Sequence, residues 1–197
     1  MKAEVAANPR VADHPIDEIF LERWSPRAMS GETISREELM SLFEAARWAP
    51  SSYNSQPWRF GYALRGTPHW QGLLDLLVDN NKAWAKNAGA LIVIASDPIN
   101  VQLKNRRMPT HTFDTGAAWM SIALEGHLRG LVVHGMEGFS YENAKKVLNL
   151  PEQWEVHAMA AVGRPGRKED LPPALQEREF PNGRNPISSF IFEGRRP

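Results

Sequence analysis

The chain has 197 residues, 42% hydrophobic and 23% charged, as expected for one soluble globular domain with a full core. Its 23 basic residues balance its 23 acidic ones, so no global field draws in nucleic acid or an anionic membrane, and any bound anion needs a local cluster of donors. There is no cysteine, which excludes disulfides, thiolate nucleophiles and thiolate metal sites and suits a reducing compartment.

Residues 1–14 read as a loose lead-in without the apolar stretch of a signal peptide, so a cytoplasmic location is expected. A short helix is expected from Pro15 to Glu22, with Ile16, Ile19 and Phe20 on one face. "RWSPRAMSGE" (23–32) has turn composition. Ser35 with Glu38 then forms a capping box, and Leu39, Leu42, Phe43 and Ala46 follow at helical spacing until Pro50 ends the helix. From Trp58 to Leu64 large apolar side chains alternate with Arg59, Gly61 and Ala63, which predicts a strand. Residues 68–78 and 81–87 read as helices.

"ALIVIA" (90–95) is short and apolar on both faces, so it predicts a central buried strand and is far too short to cross a bilayer. Residues 111–128 make the longest predicted helix. Small residues (Gly116, Ala117, Ala118, Ser121, Ala123) alternate there with Trp119, Met120, Ile122 and Leu124, leaving no polar face. Such a helix is expected to be buried on most sides, either centrally or at a subunit interface, and its Asp114 must find partners or water. Residues 131–135 predict a strand, 141–148 a helix and 154–162 a last strand, with "GRPG" (163–166) as a turn. The tail, 164–197, is rich in arginine and proline, too polar for a core of its own, and expected to lie along something else. The order of elements predicts one sheet covered by helices in a single domain, residues 1–197.

No GxSxG elbow, no GxxxxGK[ST] loop and no GxGxxG after a strand occurs, and the six histidines form neither HExxH nor an i, i+4 pair, so no metal site is expected. Three segments stand out instead. Arg23-Trp24-Ser25-Pro26-Arg27 sets two guanidinium forks four residues apart, a geometry that suits phosphate or ring carbonyls, although spacing alone fits a solvated loop as well. "APSSYNSQPW" (49–58) is dense in short hydrogen-bonding side chains, which suits a flat heteroaromatic ligand or, more plainly, a helix stop and a turn. "GMEGFS" (135–140) carries two glycines that let backbone approach a ligand, or that simply make a capped turn.

Together, "ERWSPRAM", "EAARWAPSSYNSQPWRF" and "GMEGFS" resemble the FMN-dependent nitroreductase family, and the resemblance extends through the 111–128 helix to the arginine-rich tail. It implies an α+β fold: a three-layer α/β/α sandwich with a mixed, mainly antiparallel sheet, in an intertwined homodimer whose C-terminal arm, 164–197, packs on the partner subunit. It also implies FMN at the subunit interface, NADH or NADPH as donor, and a small-molecule electron acceptor, with no nucleic acid or membrane partner. By the same resemblance Arg23, Trp24, Ser25 and Arg27 form the first flavin segment, Arg23 at the phosphate and Arg27 at the pyrimidine edge. Pro50, Ser51, Ser52 and Asn54 come from the partner subunit, with Tyr53 lining the substrate pocket. Glu137 and Gly138 bring backbone N–H groups toward flavin N5, Asn81 stands at the pyrimidine edge with Lys82 or Trp84 nearby, and Arg184 closes on the phosphate. Asp114 falls on the helix near the site.

The reaction so implied is ping-pong transfer of hydride from NAD(P)H through flavin N5 to a nitroaromatic, quinone, enone or similar acceptor, with no catalytic protein side chain. The alternatives are a specialised branch, such as flavin breakdown or reductive dehalogenation, and a flavin-binding protein without turnover.

Overall fold

A computed structural model describes residues 8–195 of the chain. The central strand is the apolar run foreseen from sequence: β2 (Ala90–Ser96) is buried at all seven positions. It pairs with β1 (Trp58–Leu64) on one side and with β6 (Glu155–Gly163) on the other, and β6 pairs in turn with β5 (Val132–Met136). The order is β1-β2-β6-β5 and every pairing is antiparallel. The expected mainly antiparallel sheet is therefore present, with no parallel pairing among the described residues. A two-stranded hairpin of β3 (Ile99–Asn100) and β4 (Arg106–Arg107), too short to leave a periodic signal, fills the connection after β2.

Helices cover both faces and complete three layers. On one face α2 (Arg36–Arg47) and α5 (His111–Leu128) bury Leu39, Leu42, Ala118 and Ile122 against Ile92, Ile94, Ala160 and Val162. On the other, α3 (Trp70–Leu74), α4 (Asp79–Ala85) and α6 (Tyr141–Val147) bury Leu73, Trp84 and Ala144 against Leu91, Val93, Met159 and Ala161. The alternation of side chains along each strand separates these two cores. The capping box is as expected: Ser35 Oγ accepts from the Glu38 N–H at 3.1 Å and Glu38 Oε2 accepts from the Ser35 N–H at 2.8 Å.

Three helices are shorter than their patterns. The helix expected over 15–22 reduces to α1 (Ile19–Glu22), because Asp17 Oδ1 takes the Ile19 N–H in a turn before it. The pattern over 68–78 stops at Leu74, because Leu77 leaves the helix to bridge Phe139 and the Val78 N–H donates to Gly138 O. The helix expected over 81–87 starts and ends two residues earlier, at 79 and 85.

Part of the lead-in, residues 1–7, lies outside the described residues. From Asn8 onward it is hydrogen-bonded to the chain: Asn8 Nδ2 donates to Leu21 O at 3.0 Å, and Asp13 Oδ2 accepts from the Ile187 N–H at 3.3 Å. The first half of the tail packs on its own domain. Leu171 joins the core, Pro165 bridges Met29, and the Gly166 N–H donates to Ala28 O at 3.0 Å. A β-carbon on Gly166 would sit 2.5–2.9 Å from Met29 backbone atoms, so only glycine permits this approach. The "GRPG" turn is thus also the brace that fixes residues 28–30, immediately after the first arginine segment. Beyond α7 (Pro173–Gln176) the tail runs out to Phe190, Ile191 and Phe192, which are 67%, 56% and 59% exposed.

Candidate cofactor site

Arg23, Trp24, Ser25 and Arg27 border a cavity of about 280 Å³, and Arg184, far away in sequence, comes to the same cavity. Arg10, His134, Arg178, Phe180 and Asn182 complete its wall. Five guanidinium groups therefore surround one small space. Among the described residues only Arg27 has a carboxylate within ion-pair distance, Glu179 Oε2 at 3.8 Å. Burial and then the neighbouring charges of Arg10 and Arg184 hold the Arg23 guanidinium below its ordinary pKa. Such a convergence of like charges gives a cavity that suits an anion.

Glu179, 4% exposed, shows how the arm is fastened to this segment. Its Oε1 accepts from the Arg27 and Ala28 N–H groups at 2.7 and 2.8 Å, while its Oε2 is buried with no hydrogen-bond partner. His134 fixes the other side. Its ring lies 4.6 Å from the indole of buried Trp84, and its Nδ1 donates to Pro26 O at 2.9 Å. Burial, opposed only in part by that carbonyl, depresses its pKa to about 4, and Arg27 and Arg23 push the same way.

The sign of the linkage follows directly. Between the ordinary value near 6.5 and about 4, the unfolded chain takes up a proton that folded His134 refuses, so stability falls as pH falls through that window. This one group is expected to remove roughly 2 kcal/mol between pH 6.5 and pH 5. Urea denaturation of His134→Gln at both pH values checks it: the variant should lose less stability on acidification than the wild type, and an equal loss would remove His134 as the cause.

Glu137 and Gly138 follow β5 directly. Gly138 O accepts from the Val78 N–H and from Asn81 Nδ2, each at 3.1 Å, and a β-carbon on Gly138 would meet both side chains at 2.9 Å. Asn81 thus spends an amide hydrogen on shaping the 137–138 turn. Lys82, the basic neighbour considered for the flavin edge, is instead paired with Asp75 at 3.1 Å, and Trp84 is buried beneath His134.

The 50–57 loop lies elsewhere. It is tied to the first turns of α5, where the buried Asp114 carboxylate accepts from the Ser52 N–H and from Thr110 Oγ1, each at 3.1 Å. The start of α5 is itself fixed by the buried Ser96 hydroxyl, which sits 2.7 Å from both His111 Nδ1 and His157 Nε2. Tyr53, Asn54 and Gln56 hold φ values of 53°, 51° and 46°, a left-handed region that costs non-glycine residues of order 1–3 kcal/mol each. The loop's polar side chains answer part of that cost: Ser51 Oγ accepts from the Gln56 N–H at 3.0 Å, and Arg59 Nη1 donates to Gln56 O at 3.0 Å. Ser55 Oγ is buried without a partner, and Tyr53 is 68% exposed.

Because β1 enters and β5 leaves at the same end of an antiparallel sheet, Pro50, Ser51, Ser52 and Asn54 share that end with Glu137 and Gly138. They stand at opposite edges, three strand spacings or roughly 14 Å apart. They also attach to opposite faces, the loop to α5 and the arginine cavity, through His134, to α4. One chain therefore assembles Arg23, Trp24, Ser25, Arg27 and Arg184 into one cavity whose lining does not include the loop. Arg10 and Arg178 escaped the sequence reading because each is a lone arginine in a polar stretch. His134 left a usable signal, a titratable residue inside an apolar strand.

Comparison with known proteins shows the family and the fold. A sequence model of the nitroreductase family matches residues 21–68 and 64–164. A crystal structure described as an oxidoreductase containing FMN shares 40% identity and a TM-score of 0.92, with 96% of each chain covered. A nitroreductase family protein from Streptococcus pneumoniae TIGR4 shares the fold, with a TM-score of 0.70 at 18% identity over 90% of this chain and 98% of that one. A protein of Archaeoglobus fulgidus, provisionally named NADH dehydrogenase/NAD(P)H nitroreductase, is 27% identical over 153 residues, 76% of this chain and 84% of its own length.

Proposed function

The chain belongs to the nitroreductase family, and from that premise we propose that it is an FMN-dependent NAD(P)H oxidoreductase that works as a homodimer. The observation that carries the reading is the division of the site. A cationic cavity and a strained polar loop attach to opposite faces of the sheet, and the cavity's lining does not include the loop, so in this reading a second copy brings a loop to each cavity. One buried polar atom without a hydrogen-bond partner, Ser55 Oγ, falls in the loop, and a buried polar group left unpaired suits a surface completed by another copy. The apolar surface for a second copy is also present. Phe113, Met120 and Leu128 form a stripe on the outer side of α5, 79%, 38% and 69% exposed, and the Phe190–Phe192 end of the arm has no cover.

The donor set fits a flavin mononucleotide. Arg23 and Arg184 would hold the phosphate, since guanidinium forks match its oxygens and the cavity has cations to spare. Arg27, its backbone N–H fixed by Glu179, would set positive charge at the pyrimidine edge. Trp24 and Ser25 would line the ribityl side. Glu137 and Gly138, shaped by Asn81, would present backbone N–H groups, and the partner's loop would close over the ring with Pro50, Ser51, Ser52 and Asn54, leaving exposed Tyr53 at the substrate side. When bound, FMN supplies two-electron chemistry at N5, taking hydride from NADH or NADPH and returning the electrons to an acceptor such as a nitroaromatic, quinone or enone in a ping-pong cycle. The protein's part is to bind, orient and exclude water.

No described helix is long and apolar enough to cross a membrane, and a chain without cysteine suits a reducing cytoplasm. The protein purified with FMN should be yellow, scatter light as twice the 22.2 kDa chain, and bleach anaerobically with NADH or NADPH. Colourless protein that cannot be reconstituted with FMN would end this reading.

A further inference from the structure

Arg10 lies in the stretch that sequence alone reads as a lead-in, yet it makes more of the cavity's connections than any motif arginine. Its Nε donates to Asn182 O at 2.8 Å, and its Nη1 donates to Leu21 O at 3.0 Å and to Arg23 O at 2.7 Å. One side chain thus joins the lead-in, the first arginine segment and the arm, and all three border the same cavity. Its Nη2 is spent on none of these carbonyls.

Carbonyl acceptors satisfy donors without neutralising charge. Among the described residues neither Arg10, Arg23 nor Arg184 has a carboxylate within ion-pair distance, and the three lie close enough for their charges to oppose one another. A cluster that repels itself is held together here by backbone clamps, and an anion in the cavity would turn the repulsion into attraction.

We propose that Arg10 is a phosphate-side residue of this site, clamping the segments that carry Arg23 and Arg184 and adding its own guanidinium charge to the anion between them. The proposal rests on the flavin reading above and deepens it: the lead-in, which no motif marks, makes the site select a phosphorylated flavin over an unphosphorylated one. A role in packing alone would support both flavins equally, because they share the ring and the ribityl chain and differ in the phosphate.

Equilibrium titration with FMN and with riboflavin tests this on the wild type and on Arg10→Ala, Arg10→Gln and Arg10→Lys. The Ala and Gln variants are expected to lose about tenfold in FMN affinity while binding riboflavin as before, as for loss of one charged hydrogen bond. The Lys variant, which keeps the charge but cannot bridge three carbonyls, should lie between. Unchanged preference for FMN over riboflavin in both the Ala and Gln variants would overturn the proposal, as would equal weakening of the two ligands. If Ala does not fold, Gln, which keeps an N–H for a carbonyl, decides alone. Inorganic phosphate gives a flavin-free readout: it should raise the Tm of the wild type and raise that of Arg10→Gln less, and equal increases would count against Arg10. A wild type stabilised by phosphate that binds neither flavin would overturn the flavin reading while leaving an Arg10-dependent anion site.

Discussion

Arg23→Ala protein is expected to lose FMN on dialysis, with affinity lowered about 10- to 150-fold, the equivalent of 1.5–3 kcal/mol for one charge-assisted contact to the phosphate. The same substitution should leave the protein without flavin at least as stable as the wild type. Arg23 is pressed by burial and by Arg10 and Arg184, so its removal relieves repulsion that only a bound anion offsets. These opposite signs separate a binding role from a structural one. Thermal unfolding with and without excess FMN measures both at once, since ligand stabilisation scales with the logarithm of concentration over Kd. Full flavin occupancy of Arg23→Ala after dialysis, or a lower Tm without flavin, would remove Arg23 from the phosphate.

Asp114→Ala is expected to destabilise the fold by about 3 kcal/mol, because a buried carboxylate that accepts two hydrogen bonds is lost. The effect should begin at the loop. The Ser52 N–H loses its acceptor, and the three left-handed residues beyond it lose the tether that holds them in place. Hydrogen exchange at the Ser52 and Gln56 amides should accelerate before global unfolding, and FMN affinity should fall if the loop closes a partner's site. Asp114 also sits in the first turns of α5, where the helix dipole favours negative charge, so Asp114→Asn gives up that term while keeping one acceptor oxygen. It should fall between the wild type and Ala. A denaturation midpoint for Asp114→Ala equal to that of the wild type would mean that the loop holds its own conformation.

The two substitutions probe halves of the site that were unequally legible. The segment Arg23-Trp24-Ser25-Pro26-Arg27 and the 49–58 loop stood out by composition, but each also fitted a plain solvated connection, and only the resemblance to a family pointed to a flavin. Composition did not tell how the loop uses those groups. Ser51 and Arg59 serve the loop's own backbone, and strain at Tyr53, Asn54 and Gln56 has no counterpart in residue type, because asparagine and tyrosine adopt ordinary angles elsewhere. The hydrophobic pattern likewise marked α5 as buried on most sides without saying which side its own chain leaves bare.

What the sequence determined by itself was local. Periodicity of 2 and of 3.6, a capping box at Ser35 and a doubly apolar run at 90–95 set which elements form, since each depends on neighbours a few residues away. The tertiary structure decided which distant side chains meet. Arg10, Arg178 and Arg184 join Arg23 and Arg27, Glu179 reaches back over 152 positions to the Arg27 N–H, and Asp114 takes up Ser52. No local rule encodes such meetings, because they follow from the antiparallel order of the strands and from the close approach that Gly166 allows at Met29. The same geometry ties the loop to α5 on one face of the sheet and the arginine cavity, through His134, to Trp84 on the other.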